Sequence, residues 1–421
     1  MSALPKQIFH RLQDDKEIEI TINKFKNVTD YGGQRILDIL LICSQRFKEE
    51  RFESCLQLAQ CVLDIVWEML NTGDWKEVPV IWRKVYTYGA IYKAAAYYAM
   101  GKLEQCIHAS DYGLLMGAPI LDNILNDIIS AAAARIHPCK QTTSIDDALA
   151  NAGDHHRNDD SDDSYLDRYK RRKHVAVDPQ RQITQLSCPS LDYFRKHYFC
   201  TKEPVILTDV IDHWPALGAR RWSIQRLKDI AGHRTVPIEI GTRYTDDSWT
   251  QKLMPLSKFI DEFITMESNQ ESGYLAQHQL FEQIPELRTD ICVPDYCCII
   301  DDNNDDVDAT VLTNAWFGPQ GTISPLHHDP YHNLFAQVMG RKYIRLYPEH
   351  ESENVYPYPT KLLSNTSQVD VEFPNFENYP NFANAEYLEC IIEPGQLLYI
   401  PPRCWHYVRS LDISFSVSFW W

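Results

Sequence analysis

The 421-residue sequence has no apolar run long enough to cross a lipid bilayer. A membrane-spanning helix needs about 20 consecutive, mostly apolar residues. The two best segments, Ile36–Ile42 and Ala90–Met100, are interrupted by Asp38 and by Lys93. Residues 1–10 also lack the apolar stretch of a secretory signal peptide. We therefore expect a chain that is neither secreted nor inserted in a membrane.

Paired cysteines and an excess of positive charge are absent as well. The 12 cysteines are scattered and form no CxxC pair, so we expect reduced, mostly buried thiols rather than a disulfide framework. Lys and Arg number 41 against 58 Asp and Glu, which gives a formal charge of −17. Phosphate backbones repel such a chain, and we expect neither direct sequence-specific binding of nucleic acid nor binding to membranes.

The pattern of the sequence changes near residue 140, and we predict two domains joined by a linker. From Gln34 to Ile136 apolar residues recur at a spacing of three to four, which predicts successive helices with short turns. Helical hairpins of this kind are typical of tetratricopeptide-like arrays. We therefore predict that residues 1–140 form a helical domain that binds a protein partner. A helical cap packed on its own catalytic domain is the alternative.

Residues 141–180 contain many acidic side chains and few large apolar ones, and we predict a disordered linker there. The basic run Lys170–Lys173 lies within this segment. Short basic runs beside acidic ones are commonly just solvated, but this run also fits a nuclear-import signal. We therefore expect a nuclear protein, with an additional cytoplasmic pool left open.

Short β-type runs separated by turn residues follow Arg181. Examples are Pro204–Thr208, Thr235–Ile240, Lys342–Tyr347 and Ile413–Phe419. These runs do not alternate with helices as in βαβ units, so they predict a sandwich or barrel with helices attached. The chain as a whole is thus α+β in class, with an all-α helical-hairpin array followed by a β domain over residues 181–421.

Two histidines and one aspartate are the strongest candidates for a chemical site. His327 and Asp329 lie two residues apart, so both side chains of an extended segment point to one face. His406 follows far downstream, on another strand after the Pro394-Gly395 turn. Two imidazoles and one carboxylate on one face match the facial triad of non-haem Fe(II) oxygenases, although zinc would suit the same donors.

A lysine is placed to meet an anionic co-substrate. Phe335–Tyr347 is predicted to form a β-hairpin around Gly340, and Lys342 begins its return strand. The lysine alternates with apolar residues on that strand, which predicts an inward side chain that needs an anionic partner. Asn333 has the same parity as the two ligands that precede it in the sequence. A lysine with nearby hydrogen-bond donors would suit the distal carboxylate of 2-oxoglutarate.

The segments that carry these residues resemble Jumonji-C (JmjC) oxygenases, which use Fe(II) and 2-oxoglutarate. The resemblance rests on four stretches, Gly273–Phe281, Ala315–Asp329, Gln337–Tyr347 and Asp412–Trp421. It covers residues 181–421 and implies a double-stranded β-helix of the jelly-roll or cupin-like type. It also implies that O₂ is the second co-substrate and that Fe(II) is held by His327, Asp329 and His406.

The same resemblance implies the residues of two further sites. The 2-oxoglutarate contacts would be Tyr274, Ser324, Asn333 and Lys342. The substrate-pocket residues would be Glu239, Gln277 and Trp316. The sequence departs from the family pattern, which has amide side chains there, at His328, Tyr331 and His332. These departures leave the metal triad intact.

The resemblance is strongest to the arginyl-hydroxylase type, so we expect hydroxylation of arginine at C-3 in a protein substrate. Glu239 could meet the guanidinium group and Trp316 could stack on it. Demethylation of a methyl-lysine, as in a histone H3 tail, would use the same site and is the alternative. A third reading is a catalytically silent binding module, which the loss of any triad residue would favour.

Overall fold

The computed structural model describes residues 33–73, 77–136, 176–241, 249–266, 272–300 and 310–421, together with Pro5, Ile8, Arg11 and Leu12. The chain divides into two compact units, one helical and one built mainly of β-strands. The basic run at residues 170–173 and residues 141–175 of the predicted linker lie outside the described residues. Within the described segments, no helix is both long enough and apolar enough to cross a membrane.

Five helices over residues 33–136 form the described part of the helical unit. They are α1 (Gly33–Lys48), α2 (Phe52–Leu70), α3 (Val80–Ala99), α4 (Leu103–Met116) and α5 (Ile124–Ile136). The central helix α3 packs against the four others, which explains why it is buried on all sides. Gly113 on α4 permits this close packing, since a Cβ there would lie 2.7 Å from the Cβ of Ala90. The helical prediction is confirmed.

Thirteen strands form two sheets in the described part of the β unit. They are β1 (Gln185–Ser187), β2 (Val205–Thr208), β3 (Thr235–Ile240), β4 (Thr250–Pro255), β5 (Gly273–His278), β6 (Leu312–Gly318), β7 (Ile323–His327), β8 (Asn333–Met339), β9 (Lys342–Tyr347), β10 (Leu388–Ile392), β11 (Leu397–Ile400), β12 (Trp405–Ser410) and β13 (Ser414–Trp420). The larger sheet has the order β1-β2-β11-β8-β13-β6-β5-β3-β4, and the smaller sheet has the order β10-β9-β12-β7.

Short helices cover the outer face of the larger sheet. They are α6 (Leu191–Phe194), α7 (Ile224–Ala231), α8 (Leu256–Phe259), α9 (Leu280–Gln283) and α10 (Pro285–Arg288). A turn of π-helix extends α6 over Arg195–Phe199, and another extends α8 over Ile260–Ile264. Apolar side chains from these helices and from the sheet form one continuous core.

Alternation along the strands creates a second core between the two sheets. On β9, Ile344 and Leu346 point inward and pack with apolar residues of the larger sheet, while Tyr343 and Tyr347 point to the opposite face. Lys342 shares the inward parity and is 1% exposed. The predicted inward lysine and the predicted α+β class with a cupin-like β domain are thereby confirmed.

The predicted hairpin over Phe335–Tyr347 is wrong. Strand β8 pairs with β11 and β13 in the larger sheet, whereas β9 pairs with β10 and β12 in the smaller one. The turn at Gly340 therefore carries the chain from one sheet to the other. A local pattern of two strands around a glycine does not show whether the two strands pair with each other, because strand pairing depends on residues distant in the sequence.

The last residues of the predicted linker are described. Over residues 176–180, the backbone N–H of Asp178 donates to the carboxylate of Glu389 at 2.7 Å. The cysteines of the described segments are free thiols. Six of them are buried, namely Cys43, Cys55, Cys106, Cys297, Cys390 and Cys404.

Candidate active site

Strands β7 and β12 position the two predicted histidine ligands. His327, the last residue of β7, lies directly opposite His406 on β12, and their ring centres are 4.2 Å apart. Asp329 lies two residues beyond β7, with its Oδ2 3.6 Å from Nε2 of His406. The donor atoms of the three residues all lie within 4.8 Å of one another. This arrangement fits one metal ion held by three protein ligands.

Backbone carbonyl groups orient both imidazoles. Nδ1 of His327 is 2.7 Å from the carbonyl oxygen of Pro325, and Nδ1 of His406 is 3.0 Å from that of Cys404. A ring whose Nδ1–H donates to a carbonyl keeps the lone pair of Nε2 for a metal. Burial, reinforced by the nearby His327, lowers the pKa of His406 to about 4. Its ring is therefore neutral, as metal binding requires.

The donor set fits the expected metal. Two imidazoles and one carboxylate leave three positions of an octahedral Fe(II) ion open for co-substrates, although zinc also accepts these donors. The three residues that depart from the family pattern take no part in the triad. His328 packs edge-on against Trp405, His332 hydrogen-bonds the hydroxyl of Tyr399, and Tyr331 is exposed.

A β-bulge on β7 brings Ser324 to the same cavity as His327. The two residues are three apart and would point to opposite faces of a regular strand. In the pairing with β12, however, His327 lies opposite His406 and Ser324 lies opposite Val408, so β7 contains one extra residue. Pro325, which has no N–H to donate to the ladder, lies in this bulge. Ser324 and His327 consequently line the same space.

Lys342, Tyr274 and Ser324 form a buried polar cluster near the triad. Nζ of Lys342 lies 3.4 Å from the hydroxyl of Tyr274, which also hydrogen-bonds Ser324. The ammonium group lies 5.2 Å from the ring centre of Phe335, and no described carboxylate pairs with it. Burial lowers the pKa of Lys342 to about 7. A buried ammonium group without a carboxylate is costly, and an anionic ligand would offset that cost.

Asn333 lines the cavity of the triad, but not for the predicted reason. It begins β8 in the larger sheet, whereas β7 belongs to the smaller sheet, so the parity that it shares with the ligands has no structural meaning. It reaches the cavity that holds His327, Asp329 and His406 from the facing sheet. Its buried amide oxygen has no hydrogen-bond partner among the described residues. The four predicted co-substrate residues fit a dicarboxylate, because they supply a cation, two hydroxyls and an amide whose NH₂ group can donate to a carboxylate.

One cavity of about 260 Å³ joins the metal ligands to the predicted substrate residues. It is lined by His327 and Asp329 and also by all three predicted substrate residues, namely Glu239, Gln277 and Trp316. Glu239 on β3 lies opposite Tyr274 on β5, and residues paired in this way share one face of a sheet. The cavity therefore contains both the metal ligands and a carboxylate that lies outside the triad.

A second bulge, on β5, brings Gln277 to this cavity. Leu275 lies opposite Phe317 and His278 lies opposite Ala315, so β5 has one more residue than β6 in this stretch. Gln277 has a φ of +46° at the bulge. Its side chain lines the same cavity as that of Tyr274, although the two are three residues apart.

The ring of Tyr274 occupies space that a glycine leaves free. A Cβ on Gly318 would lie 2.8 Å from Cδ2 of Tyr274, so any other residue there would displace the ring. The ring centre of Trp316 lies 6.2 Å from that of Tyr274, and its Nε1–H donates to the hydroxyl of Ser418 at 2.9 Å. This hydrogen bond fixes the orientation of the indole in the cavity wall.

Glu239 carries the only carboxylate besides Asp329 in the described wall of this cavity. It is half-buried, forms no ion pair with a described residue, and accepts a long hydrogen bond of 3.4 Å from Nε1 of Trp249. Burial raises its pKa, and the hydrogen bond from Trp249 opposes that shift. The side chain is consequently available to a cation that enters the cavity.

Sequence reasoning missed several lining residues. Trp249 is one of them, and four more lie between β9 and β10, namely Leu362, Leu363, Asn365 and Thr366. Asn365 holds the end of β7, since its carbonyl accepts the N–H of His328 at 3.0 Å and its side-chain amide donates to the carbonyl of His328 at 3.1 Å. That segment has no regular periodicity, so no sequence pattern pointed to it.

Two family models match the chain. Residues 191–421 match a model described as a cupin-like domain, and residues 46–146 match one described as "KDM8-like, N-terminal ARM repeats". The second model describes the helical hairpins as ARM repeats, whereas the apolar pattern predicted a tetratricopeptide-like array. Both types stack helical hairpins into arrays, which explains why the apolar pattern alone did not separate them.

Curated relatives cover most of the chain. It is 44% identical to "Lysine-specific demethylase 8" of Xenopus tropicalis over 87% of this chain and 88% of the relative. It is 42% identical to the protein of the same name in Danio rerio, over 90% of both chains. It is 38% identical to "Lysine-specific demethylase JMJ30" of Arabidopsis thaliana, over 86% of this chain and 85% of the relative. The chain therefore belongs to the JmjC family of cupin-like oxygenases, with an N-terminal ARM-repeat region.

Proposed function

We propose that the protein uses Fe(II), 2-oxoglutarate and O₂ to hydroxylate arginine side chains at C-3 in protein substrates. The observation that supports arginine is the unpaired carboxylate of Glu239 in the cavity of the metal ligands. A guanidinium group presents a planar fork of N–H donors, and a carboxylate accepts two of them in parallel. Trp316 in the same wall offers a flat face for stacking.

The side chains of the triad would hold the metal with little reorganisation. His327 and His406 keep their Nε2 lone pairs free because their Nδ1 atoms face carbonyl groups. Asp329 contributes the single negative charge of the set. Bound Fe(II), with 2-oxoglutarate and O₂, would supply the oxidising power to insert one oxygen atom into a C–H bond, with release of CO₂ and succinate.

The polar cluster would bind and orient 2-oxoglutarate. The ammonium group of Lys342 and the hydroxyl of Tyr274 would meet the carboxylate that lies away from the metal, and Ser324 and Asn333 would add hydrogen bonds. Ser324 and Lys342 lie on the smaller sheet and Tyr274 and Asn333 lie on the larger one, so the two sheets flank these groups. Such enclosure excludes water, which protects the reaction from side reactions.

Demethylation of methyl-lysine is the second candidate, and the comparisons favour it. The three relatives named above are each called lysine-specific demethylases. Three aromatic side chains, those of Tyr274, Trp249 and Trp316, line the cavity and could surround a methylated ammonium group. Hydroxylation of an N-methyl group gives an unstable product that releases formaldehyde, so one oxidising site could serve both reactions.

Intact-mass analysis under ¹⁸O₂ separates the two candidates. Arginine and methyl-lysine peptides of equal length would be incubated with enzyme, Fe(II) and 2-oxoglutarate. Gain of one labelled oxygen by the arginine peptide would support the hydroxylase, whereas loss of a methyl group with formaldehyde release would support the demethylase. Absence of succinate production and of any change in either peptide, with metal-loaded enzyme, would contradict both candidates and favour the silent binding module.

Two further assignments concern the ARM-repeat region and the location of the protein in the cell. We propose that the ARM-repeat region over residues 46–146 binds a protein partner, because stacked helical repeats present extended binding surfaces. We also propose a nuclear localisation, with a cytoplasmic pool as the alternative, from the basic run Lys170–Lys173. Replacement of these four residues by alanine in a fluorescent fusion should then shift the protein to the cytoplasm.

A further inference from the structure

Leu362 is an exposed apolar side chain at the wall of the active-site cavity. It is 88% exposed, the highest value among the large hydrophobic residues of the described segments. A single exposed leucine is normal on a protein surface. The location of Leu362 is what distinguishes it, since it lines the same cavity as His327, Asp329 and Glu239.

The segment that carries Leu362 is held to the metal-binding strand. We call residues 358–367 the rim loop. Within it, the N–H of Tyr358 donates to the carbonyl of Thr366, and the N–H of Thr366 donates to the carbonyl of Leu363, both at 2.9 Å. The N–H of Ser367 also donates to the carbonyl of Leu326 on β7 at 2.8 Å. These bonds fix the tip of the loop beside the site.

Leu363 and Leu362 together give the rim loop an apolar tip. Leu363 is half-buried and lines the cavity beside its neighbour. Its N–H donates to the carbonyl of Thr360 at 3.2 Å, which closes a tight turn around Leu362. Covering an exposed apolar side chain with a ligand is favourable, and a loop whose backbone is already fixed by hydrogen bonds has little backbone entropy left to lose.

We propose that Leu362 forms an apolar subsite for a substrate residue two positions from the one that is modified. This inference rests on the proposed function, because it assumes that a peptide side chain enters the cavity toward the triad. In an extended peptide successive side chains alternate in direction, so the residues two positions before and after the target point to the same side as the target, toward the cavity mouth where the rim loop presents its leucine. The substrate class is then a peptide that has a large aliphatic residue two positions from the target arginine or methyl-lysine.

Matched peptides test the subsite. Each peptide has leucine or serine two positions before or two positions after the target residue. For the wild-type enzyme, leucine in one of the two positions should lower KM about tenfold relative to serine, since burial of a leucine side chain is worth at least about one such factor. The kcat should stay unchanged, because the contact forms equally in the ground state and in the transition state.

Three variants assign the effect to this side chain. Leu362→Ser should abolish the preference for leucine, and Leu362→Met should retain it because methionine keeps most of the apolar surface. Phe376→Ser is the matched control, since Phe376 is 51% exposed and lies outside the described cavity walls. It should leave the preference unchanged. A similar KM for all peptides with the wild type, or an equal loss for leucine and serine peptides with Leu362→Ser, would overturn the subsite.

Binding without turnover separates this proposal from the proposed function. Fluorescence anisotropy under anaerobic conditions, with Fe(II) and 2-oxoglutarate present, reports peptide affinity when no oxygen is available for reaction. A preference for the leucine peptides that Leu362→Ser removes would support the subsite even if no arginine peptide is hydroxylated. Absence of that preference would overturn it even if hydroxylation is observed.

Discussion

His406 on β12 lies directly opposite His327 on β7, with 4.2 Å between their ring centres. The pairing puts both imidazoles on the inward face of the smaller sheet, and Asp329 reaches the same point from the loop that follows β7. Of these three side chains only Asp329 carries a negative charge. The backbone carbonyl of Asp329 accepts the N–H of Arg403 at 2.7 Å, and this hydrogen bond does not depend on the side chain.

Asp329→Ala should therefore remove the metal without unfolding the protein. We expect the affinity for Fe(II) to fall at least about tenfold, since an anionic ligand is lost from a three-ligand site, and 2-oxoglutarate turnover to vanish. Metal analysis and succinate production measure the effect, and a thermal melt should be nearly unchanged. Asp412→Ala, which removes an exposed ion pair with Arg341, is the control. Substrate-coupled succinate production by a metal-loaded Asp329→Ala variant would contradict the triad.

Lys342→Met should weaken the binding of 2-oxoglutarate without lowering the stability of the fold. Methionine preserves the length and apolar body of the side chain and removes a buried ammonium group that has no described carboxylate partner. We expect the KM for 2-oxoglutarate to rise at least about 30-fold, because truncating one partner of a desolvated ion pair costs about 2–5 kcal/mol.

The free energy of unfolding of the ligand-free Lys342→Met variant should be equal to or higher than that of the wild type, because a buried charge is lost. Chemical denaturation without 2-oxoglutarate measures it. A variant that is destabilised and still binds 2-oxoglutarate normally would show that Lys342 has a structural role only. Lys228→Met, which removes a partly exposed lysine paired with Asp261, should change neither quantity by much.

The proximity of His327, Asp329 and His406 could be predicted because its signal is local. His327 and Asp329 are two residues apart, and His406 follows a recognisable turn and strand. The inward direction of Lys342 was equally predictable from its alternation with apolar residues on a regular strand. Where a strand is regular, the period of two determines which side chains share a face.

The remainder of the site could not be predicted in this way because two bulges break that period. Ser324 and His327 are three residues apart and share a face, and so do Tyr274 and Gln277. Parity arguments place the members of each pair on opposite faces. Only the resemblance to JmjC oxygenases indicated these residues, since a bulge near an active site leaves no reliable pattern in a single sequence.

The affinity for 2-oxoglutarate should fall as the pH rises above 7. Burial lowers the pKa of Lys342 to about 7, so the free enzyme loses the proton above that value, whereas a bound carboxylate requires the charged form. The apparent KM should be constant below pH 7. Above pH 7 it should rise by up to about tenfold per pH unit, because one proton is taken up on binding. Calorimetry in two buffers of different ionisation enthalpy measures that uptake. A KM independent of pH between 7 and 9 would contradict it.

The stability of the ligand-free protein should change with pH in the opposite sense. The pKa of Lys342 is lowered from 10.5 to about 7, so between these values the unfolded chain binds the proton and the folded chain does not. The free energy of unfolding should therefore rise with pH across this window relative to Lys342→Met, by at most about 1.4 kcal/mol per pH unit. If the difference in the free energy of unfolding between the wild type and Lys342→Met is the same at pH 7 and at pH 9, this linkage is excluded.

Glu239→Ala decides whether the cavity recognises a guanidinium group. If the carboxylate meets arginine there, its loss should lower kcat/KM for an arginine peptide at least about tenfold, since an unpaired, desolvated guanidinium costs about 2–5 kcal/mol. Glu239→Gln keeps the volume and should lose most of the same efficiency, because an amide offers one neutral acceptor in place of two anionic ones.

Uncoupled consumption of 2-oxoglutarate should be nearly unchanged in both Glu239 variants. The polar cluster of Lys342 and Tyr274 remains intact in them, and Glu239 is not among the metal-binding residues. Glu377→Ala provides a control for the loss of one acidic residue, since Glu377 is exposed and lies outside the described cavity walls. If both Glu239 variants hydroxylate the arginine peptide as well as the wild type does, the physical basis for arginine is gone. Methyl-lysine, which needs an aromatic surround more than a bidentate acid, would then be the better substrate for the same site.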